Sequence, residues 1–347
     1  IAGYRVGMLA SGAGALFIAS YFGTTREAYN YTAWRDTYLI MASLMSIGIF
    51  TTILRPEPNL ERESRHSHTV KDYMTFFALF LIIVSVFVTS FYFLSPAANF
   101  IRSFLQEILS NKALIGFITG SARLISSIGV TLVFGLILAK TKIVNINMIE
   151  ESYIGPVKNF FDRYGLSFAL LLLSLIGLYR ISDIVLGVIS NVFYQDVGFT
   201  KNQIASVVKT LGLIMSLLGG FLGGVLTTRY GIYRMLWWGA ISAAGTNILF
   251  MIQAKLGANV EFLYLVISAD NLAAGLASAA FVAFLSSLTD ISFTAVQYAI
   301  FSSLMTLIPK IIGGYSGGMV DVIDYSGFFL ATTLMGIPVL YIIYLCL

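Results

Sequence analysis

The sequence predicts an all-α, polytopic bundle of membrane-spanning helices, and three observations lead there. Of its 347 residues, 58% are hydrophobic and only 11% are charged, where a soluble domain carries about 25% charged residues. A chain so poor in polar groups cannot cover its own surface and must sit in lipid. Its apolar residues also gather in runs of the length that a helix needs to cross a bilayer, about 20 residues. Only helices and closed barrels satisfy the backbone in hydrocarbon, and runs this long are not barrel strands.

Ten spans are expected: 4–21, 35–54, 73–95, 113–139, 166–193, 203–227, 232–253, 262–287, 293–317 and 325–347. Lysine and arginine orient them, because cytoplasmic loops carry the excess. With residue 1 inside, the inner segments hold eleven cations: Arg5, Arg55, Arg62, Arg65, Lys71, Lys140, Lys142, Lys158, Arg163, Arg229 and Arg234. The outer loops hold six: Arg26, Arg35, Arg102, Lys112, Lys201 and Lys255. In the outer stretch "ANFIRSFLQEIL" (98–109), Phe100, Ile101, Phe104, Leu105, Ile108 and Leu109 share one helical face. Such a face suits a helix lying in the membrane surface or one packed on other spans.

Several chemistries are excluded. Cys346 stands alone, so no intrachain disulfide forms. His66 and His68 lack the further ligands of a metal site, and no phosphate-loop motif for ATP is present. The formal charge of +4 follows topology, so no nucleic-acid partner is expected, and no cofactor either. A lipid-linked transferase would cluster acids around a metal; here the two intramembrane acids lie on separate spans. The chain is therefore read as no enzyme. It opens on Ile1 directly before a span, without a charged-then-apolar leader, and the expectation is that its natural start lies upstream.

Six ionisable residues fall within spans: Arg123, Arg180, Asp183, Lys209, Asp270 and Lys310. A charge at a helix centre costs roughly 2.5–3.5 kcal/mol on insertion scales, so such groups face a partner, water or the bundle interior. Arg180 and Asp183, three residues apart on one face, fit either a self-neutralising structural pair or the lining of a polar path. Lys209 and Lys310 could snorkel outward on their long stems. Arg123, among small and hydroxyl residues in "GSARLISS", reads as a packing residue. Asp270 is short and sits beside Asn271, and an ionised group left alone in hydrocarbon neutralises instead; it is the candidate proton carrier. Arg180, Asp183, Lys209, Asp270 and Lys310 all fall between the outer third and the middle of their spans. Five charges at one depth on four helices predict one polar cavity, three positive and two negative, suited to an anionic solute.

The last six spans also read as two triplets, each with an acid on its first helix and a lysine on its second, as inverted three-helix repeats would give. Gly212, Ser216, Gly219 and Gly223 recur at helical spacing, a face that allows close helix approach or sliding.

"GGVLTTRYGIYR" (223–234) resembles the signature loop of the major facilitator superfamily, with Gly224, Leu226, Arg229, Gly231 and Arg234 in place and Thr228 where an aspartate is usual. The stretches "GYRVGMLASGAGALFIA" (3–19), "WRDTYLIMASLM" (34–45), "VKTLGLIMSLLGGFLGG" (208–224), "DNLAAGLASAAFVAFLSSL" (270–288) and "FTAVQYAIFSSL" (293–304) narrow the resemblance to AmpG-type muropeptide permeases, in a branch shared with acetyl-CoA transporters. The resemblance covers most of the chain except roughly 57–160.

The resemblance implies proton-coupled import of anionic anhydro-muropeptides across the bacterial inner membrane, by alternating access. It implies substrate binding by Tyr179, Arg180, Lys209, Asn271, Gln297 and Lys310, and proton coupling by Asp183 and Asp270. It further implies a major-facilitator fold of which the first four core helices are missing. Residues 1–56 would close the N-terminal half, 57–164 would be a cytoplasmic linker region with two inserted spans, and 165–347 would form the C-terminal six-helix half. The partners would be the solute, protons and the bilayer, with the protein a monomer. Alternatives are a carrier of another organic anion, such as acetyl-CoA, and an inactive truncated remnant.

Overall fold

The structure is a computed structural model that describes residues 7, 14–24, 29–54, 69–141, 146–200 and 203–346. Among the described residues, nine helical stretches are long and apolar enough to cross a membrane, and the protein is an all-helical, polytopic bundle. The tenth expected span, 4–21, lies mostly outside the described residues, which show only α1 (Ala15–Tyr21) of it. His66 and His68 also lie outside them.

Local sequence chemistry places the helix ends. Asn30 starts α2 (Tyr31–Leu54) by accepting from the Thr32 and Ala33 amides at 3.0 and 3.3 Å, which satisfies donors that the first turn leaves free. Thr69 and Asp72 form a reciprocal capping box on α3 (Val70–Phe93). The chain turns at Leu94 into α4 (Ser95–Ile108), where Phe100, Ile101, Phe104 and Ile108 are exposed, as a surface-lying helix requires. Asn111 caps α5 (Lys112–Lys140) through the Leu114 amide.

A short helix, α6 (Gly155–Tyr164), leads through Gly165 at φ 69° into α7 (Leu166–Leu178) and α8 (Ile181–Asp196), two halves of one span. A π-helical segment, Ile204–Leu211, runs into α9 (Gly212–Tyr230). Gly231, at φ 88°, is the whole turn into α10 (Ile232–Leu256). Then follow α11 (Val260–Leu288), α12 (Thr294–Gly313), α13 (Ser316–Leu334) and α14 (Gly336–Cys346). The last span was expected to begin at 325. It begins at Ser316 instead, and its backbone leaves the helix at Asp324, at φ 58°.

The core belongs to the last six spans. In an apolar 18-residue window of Leu166–Asp196, 56% of residues are buried, against 6% in the corresponding windows of α2, the α3–α4 stretch and α5. The latter three therefore leave most of their apolar surface outside the packed core. Phe193, Phe250 and Phe329 meet at ring-centroid distances of 4.9–6.4 Å in the packed interior. The α3–α5 hairpin holds together around Arg123, whose Nε donates to the Phe91 carbonyl at 2.7 Å and whose guanidinium lies 3.8 Å above the Phe91 ring. That is the packing role its small neighbours suggested.

Long-range contacts join ends that the charge count places on one side of the membrane. Asn111 donates to the Tyr315 hydroxyl and Tyr325 to the Asp196 carboxylate, all on the outer side. Arg163 faces Asp290, and Gln297 bonds residues 156 and 159, on the inner side.

Candidate transport site at a broken helix

The span 166–196 is not continuous. Its helix stops after Leu178 and restarts at Ile181, with Arg180 at φ −102°, ψ 17°. Tyr179 anchors the break. Its ring stacks on Phe281 of α11 at 4.4 Å and 4°, and its hydroxyl donates to the Leu236 carbonyl of α10 at 3.1 Å. Gly239 makes this possible, because a Cβ there would stand 2.6 Å from the Tyr179 oxygen. Tyr179 is only 6% exposed. The stack on Phe281 and the hydroxyl bond to Leu236 make it an anchor of the break.

Arg180 and Asp183 form an ion pair across the break, about three-quarters buried. Asp183 stands in the first turn of α8, where free amides and the helix dipole favour an anion. Asp270, on α11, accepts from the Thr246 hydroxyl at 3.3 Å and lies within electrostatic reach of both Arg180 and Asp183. Irregular backbone at membrane depth is tolerated only where protein or a polar cavity encloses it, and transporters commonly place solute and ion sites at such breaks.

The single chamber with surplus positive charge is not what the structure shows. The residues that converge are Arg180, Asp183 and Asp270, one cation and two carboxyl groups. Lys209 sits in the π-helical segment, is exposed, and donates to Asn191 Oδ1 at 3.2 Å. Asn191 lies eight residues beyond Asp183 on α8, roughly 12 Å along the axis. Lys310 lines a separate cleft between α5 and α12. Depth along a helix was legible in the sequence; the direction in which each side chain points was not.

Asn271 turns back on its own helix, donating to the Ile267 carbonyl at 3.0 Å while packing beside Gly212. Gln297 is 1% exposed and works as an inner-side clamp, not as part of the central cluster. Its Nε2 donates to Pro156 O and Asn159 Oδ1, and its Oε1 accepts from the Asp290 amide at 2.7 Å. In the signature loop, Arg229 and Arg234 are exposed on either side of the Gly231 turn, and a side chain at Gly224 would meet nothing within 4 Å. Among the described residues, no group of three histidine, cysteine, aspartate or glutamate side chains could hold a metal.

Sequence reasoning missed a neutral polar layer beside this cluster. Asn247 of α10, 1% exposed, donates to Thr332 Oγ1 at 3.0 Å and to Ser182 O at 3.5 Å, and its own Oδ1 meets no donor among the described residues. The signal was present in "GTNILF": a carboxamide in mid-span beside Thr246.

The fold and site define an all-helical, multi-pass protein of the bacterial inner membrane, distantly homologous to AmpG-like transporters. No protein-family model matches the chain. It is 32% identical over 208 residues to "Putative transporter AmpG 4" of Rickettsia conorii, covering 60% of this chain and 50% of that one. It is 26% identical over 347 residues to "Putative transporter AmpG 1" of Rickettsia prowazekii, covering 99% and 66%. With the anhydromuropeptide permease of Escherichia coli it shares 28% identity over 199 residues, 57% of this chain and 40% of that one. The chain spans about half the length of most of the curated relatives it matches.

Proposed function

We propose that the protein is a proton-coupled secondary transporter of the major facilitator type, importing anionic peptidoglycan fragments, the anhydro-muropeptides, by alternating access. The observation that carries the reading is the broken span at Tyr179–Arg180, which sets the Arg180–Asp183 pair opposite Asp270 in the most buried part of the bundle. The likeness to a named anhydromuropeptide permease supplies the cargo. In this reading Arg180 meets a solute carboxylate, Asp183 holds Arg180 in place between cycles, and Asp270 takes and releases the proton. Lys209, apart from the cluster, would attract the anion on its approach from the outer side. Asn271 lines the route next to Asp270, and the Gly224–Arg234 loop carries the inner-side charges.

The test is uptake of radiolabelled anhydro-muropeptide by bacteria that lack their own permease and express the protein from its complete reading frame. Uptake that collapses with a protonophore, and is abolished by Asp183→Asn or Asp270→Asn in normally inserted protein, supports the assignment. Unchanged uptake by both variants removes it.

A further inference from the structure

A cleft of about 810 Å³ opens sideways between α5 and α12, within the roughly 300–1,000 Å³ range of small-molecule sites. We propose that it is a binding site for one anionic phospholipid of the outer leaflet, with the phosphate at Lys310 and an acyl chain along α5.

Its lining explains the shape. Gly116, Gly120 and Ser121 on α5 stand across the open space from Ser303 and Thr306 on α12, and a Cβ at Gly116 or Gly120 would meet nothing within 4 Å. On α5 the trough runs from Ala113 to Leu124. Eleven residues of helix are about 16 Å, close to half of the ~30 Å hydrocarbon core, which is the depth of one leaflet. The walls are mostly apolar, as a chain requires.

The charge is at the correct end. Lys310 is the one charged residue of the lining, it is exposed, and among the described residues no carboxylate stands within ion-pair distance of it. It lies one turn before the end of α12 at Gly313, on the outer side by the charge count, where a lysine stem reaches the phosphate level. Lys112, exposed at the first position of α5 just above Ala113, adds a second cation at the rim. A cationic rim above an apolar trough fits an anionic headgroup with its chain below. A soluble anion would leave the trough empty.

The experiment is native mass spectrometry of the purified full chain in detergent, with phosphatidylglycerol, phosphatidylcholine or glycerol 3-phosphate added. Retention of phosphatidylglycerol about fivefold above phosphatidylcholine is expected, the scale of one cation acting on one lipid charge, with no retention of glycerol 3-phosphate. Lys310→Gln should erase the preference while leaving phosphatidylcholine retention unchanged. Gly120→Leu should lower retention of both lipids, and its side chain starts in open space, with nothing within 4 Å of the added Cβ. The proposal is overturned if phosphatidylcholine is held as well as phosphatidylglycerol by the unmodified chain, or if glycerol 3-phosphate displaces the lipid. It is equally overturned if either variant retains both lipids at the unmodified level.

Discussion

Gly219 and Gly275 bring α9 and α11 into backbone contact: a Cβ on Gly219 would collide with the Leu272 carbonyl, and one on Gly275 with the Ser216 carbonyl. Gly223 continues the seam one turn on, where a Cβ would stand 2.8 Å from the backbone of Leu276. In lipid there is little hydrophobic drive between helices, so close packing of this kind carries much of their association. The seam holds α11, and therefore Asp270, against the bundle.

The first prediction follows from that seam. Gly219→Leu leaves no rotamer that avoids backbone, so α9 and α11 must separate. Overpacking typically costs 1–3 kcal/mol, and a backbone collision should exceed that range. The expected outcome is loss of the monodisperse peak in detergent. Gly224→Leu, five residues along and facing open space, should insert and elute normally. Equal behaviour of the two variants would contradict the packing.

A second prediction separates the two readings of the charge pair at the break. Removing one member of a buried pair costs roughly 3–5 kcal/mol, and less here because the side chains keep 25% and 22% of their exposure. Arg180→Gln alone should therefore destabilise the protein measurably in a thermal-shift assay. Arg180→Gln combined with Asp183→Asn should restore most of the stability, since neither member of the pair is then left charged without the other. A purely structural pair would regain uptake along with stability. A pair that handles solute would not, and loss of uptake in the stable double variant is the expected result.

The fold was legible in the sequence because lipid imposes one constraint on every span. Nine of the ten expected spans reappear as helices, most within about four residues of their expected ends, and the contacts between loop ends agree with the sidedness set by Lys and Arg. The site was less legible. Span length says nothing of a break, and no proline stands in 166–196 to announce the Tyr179–Arg180 interruption. Lys209 shows a second limit: the π-helical turn shifts the phase of the helix, so α-helical spacing no longer gives the direction of its ammonium. Gln297 shows a third. A carboxamide near the inner end of a span shows nothing of its partners in the sequence, and those of Gln297 lie 138, 141 and 7 residues upstream.

The clamp gives a third prediction. Gln297→Ala removes three hydrogen bonds, two of which tie α6 to α12. At about 0.5–1.5 kcal/mol each, the loss is roughly 2–4 kcal/mol and falls on the inner side. Amides of residues 155–164 should exchange hydrogen faster by mass spectrometry. Those of 232–256 should keep their protection, because the Tyr179 anchor is untouched. Uniform loosening of both segments would mean that Gln297 supports the bundle rather than one helix.

The fourth prediction concerns Tyr179 itself. Tyr179→Phe keeps the stack on Phe281 and removes only the bond to the Leu236 carbonyl, a change of about 0.5–1.5 kcal/mol. Tyr179→Ala also empties a buried ring site, for which aromatic truncations cost about 3–5 kcal/mol. Chemical denaturation in detergent should thus order the variants as native, then Phe, then Ala, with the wider interval before Ala. If Tyr179 instead served the solute through its hydroxyl, Tyr179→Phe would lose uptake while keeping nearly all stability. The buried stack and the engaged hydroxyl argue for the opposite: uptake should survive in Tyr179→Phe and fail in Tyr179→Ala, because the ring fixes the break that presents Arg180 and Asp183 to each other.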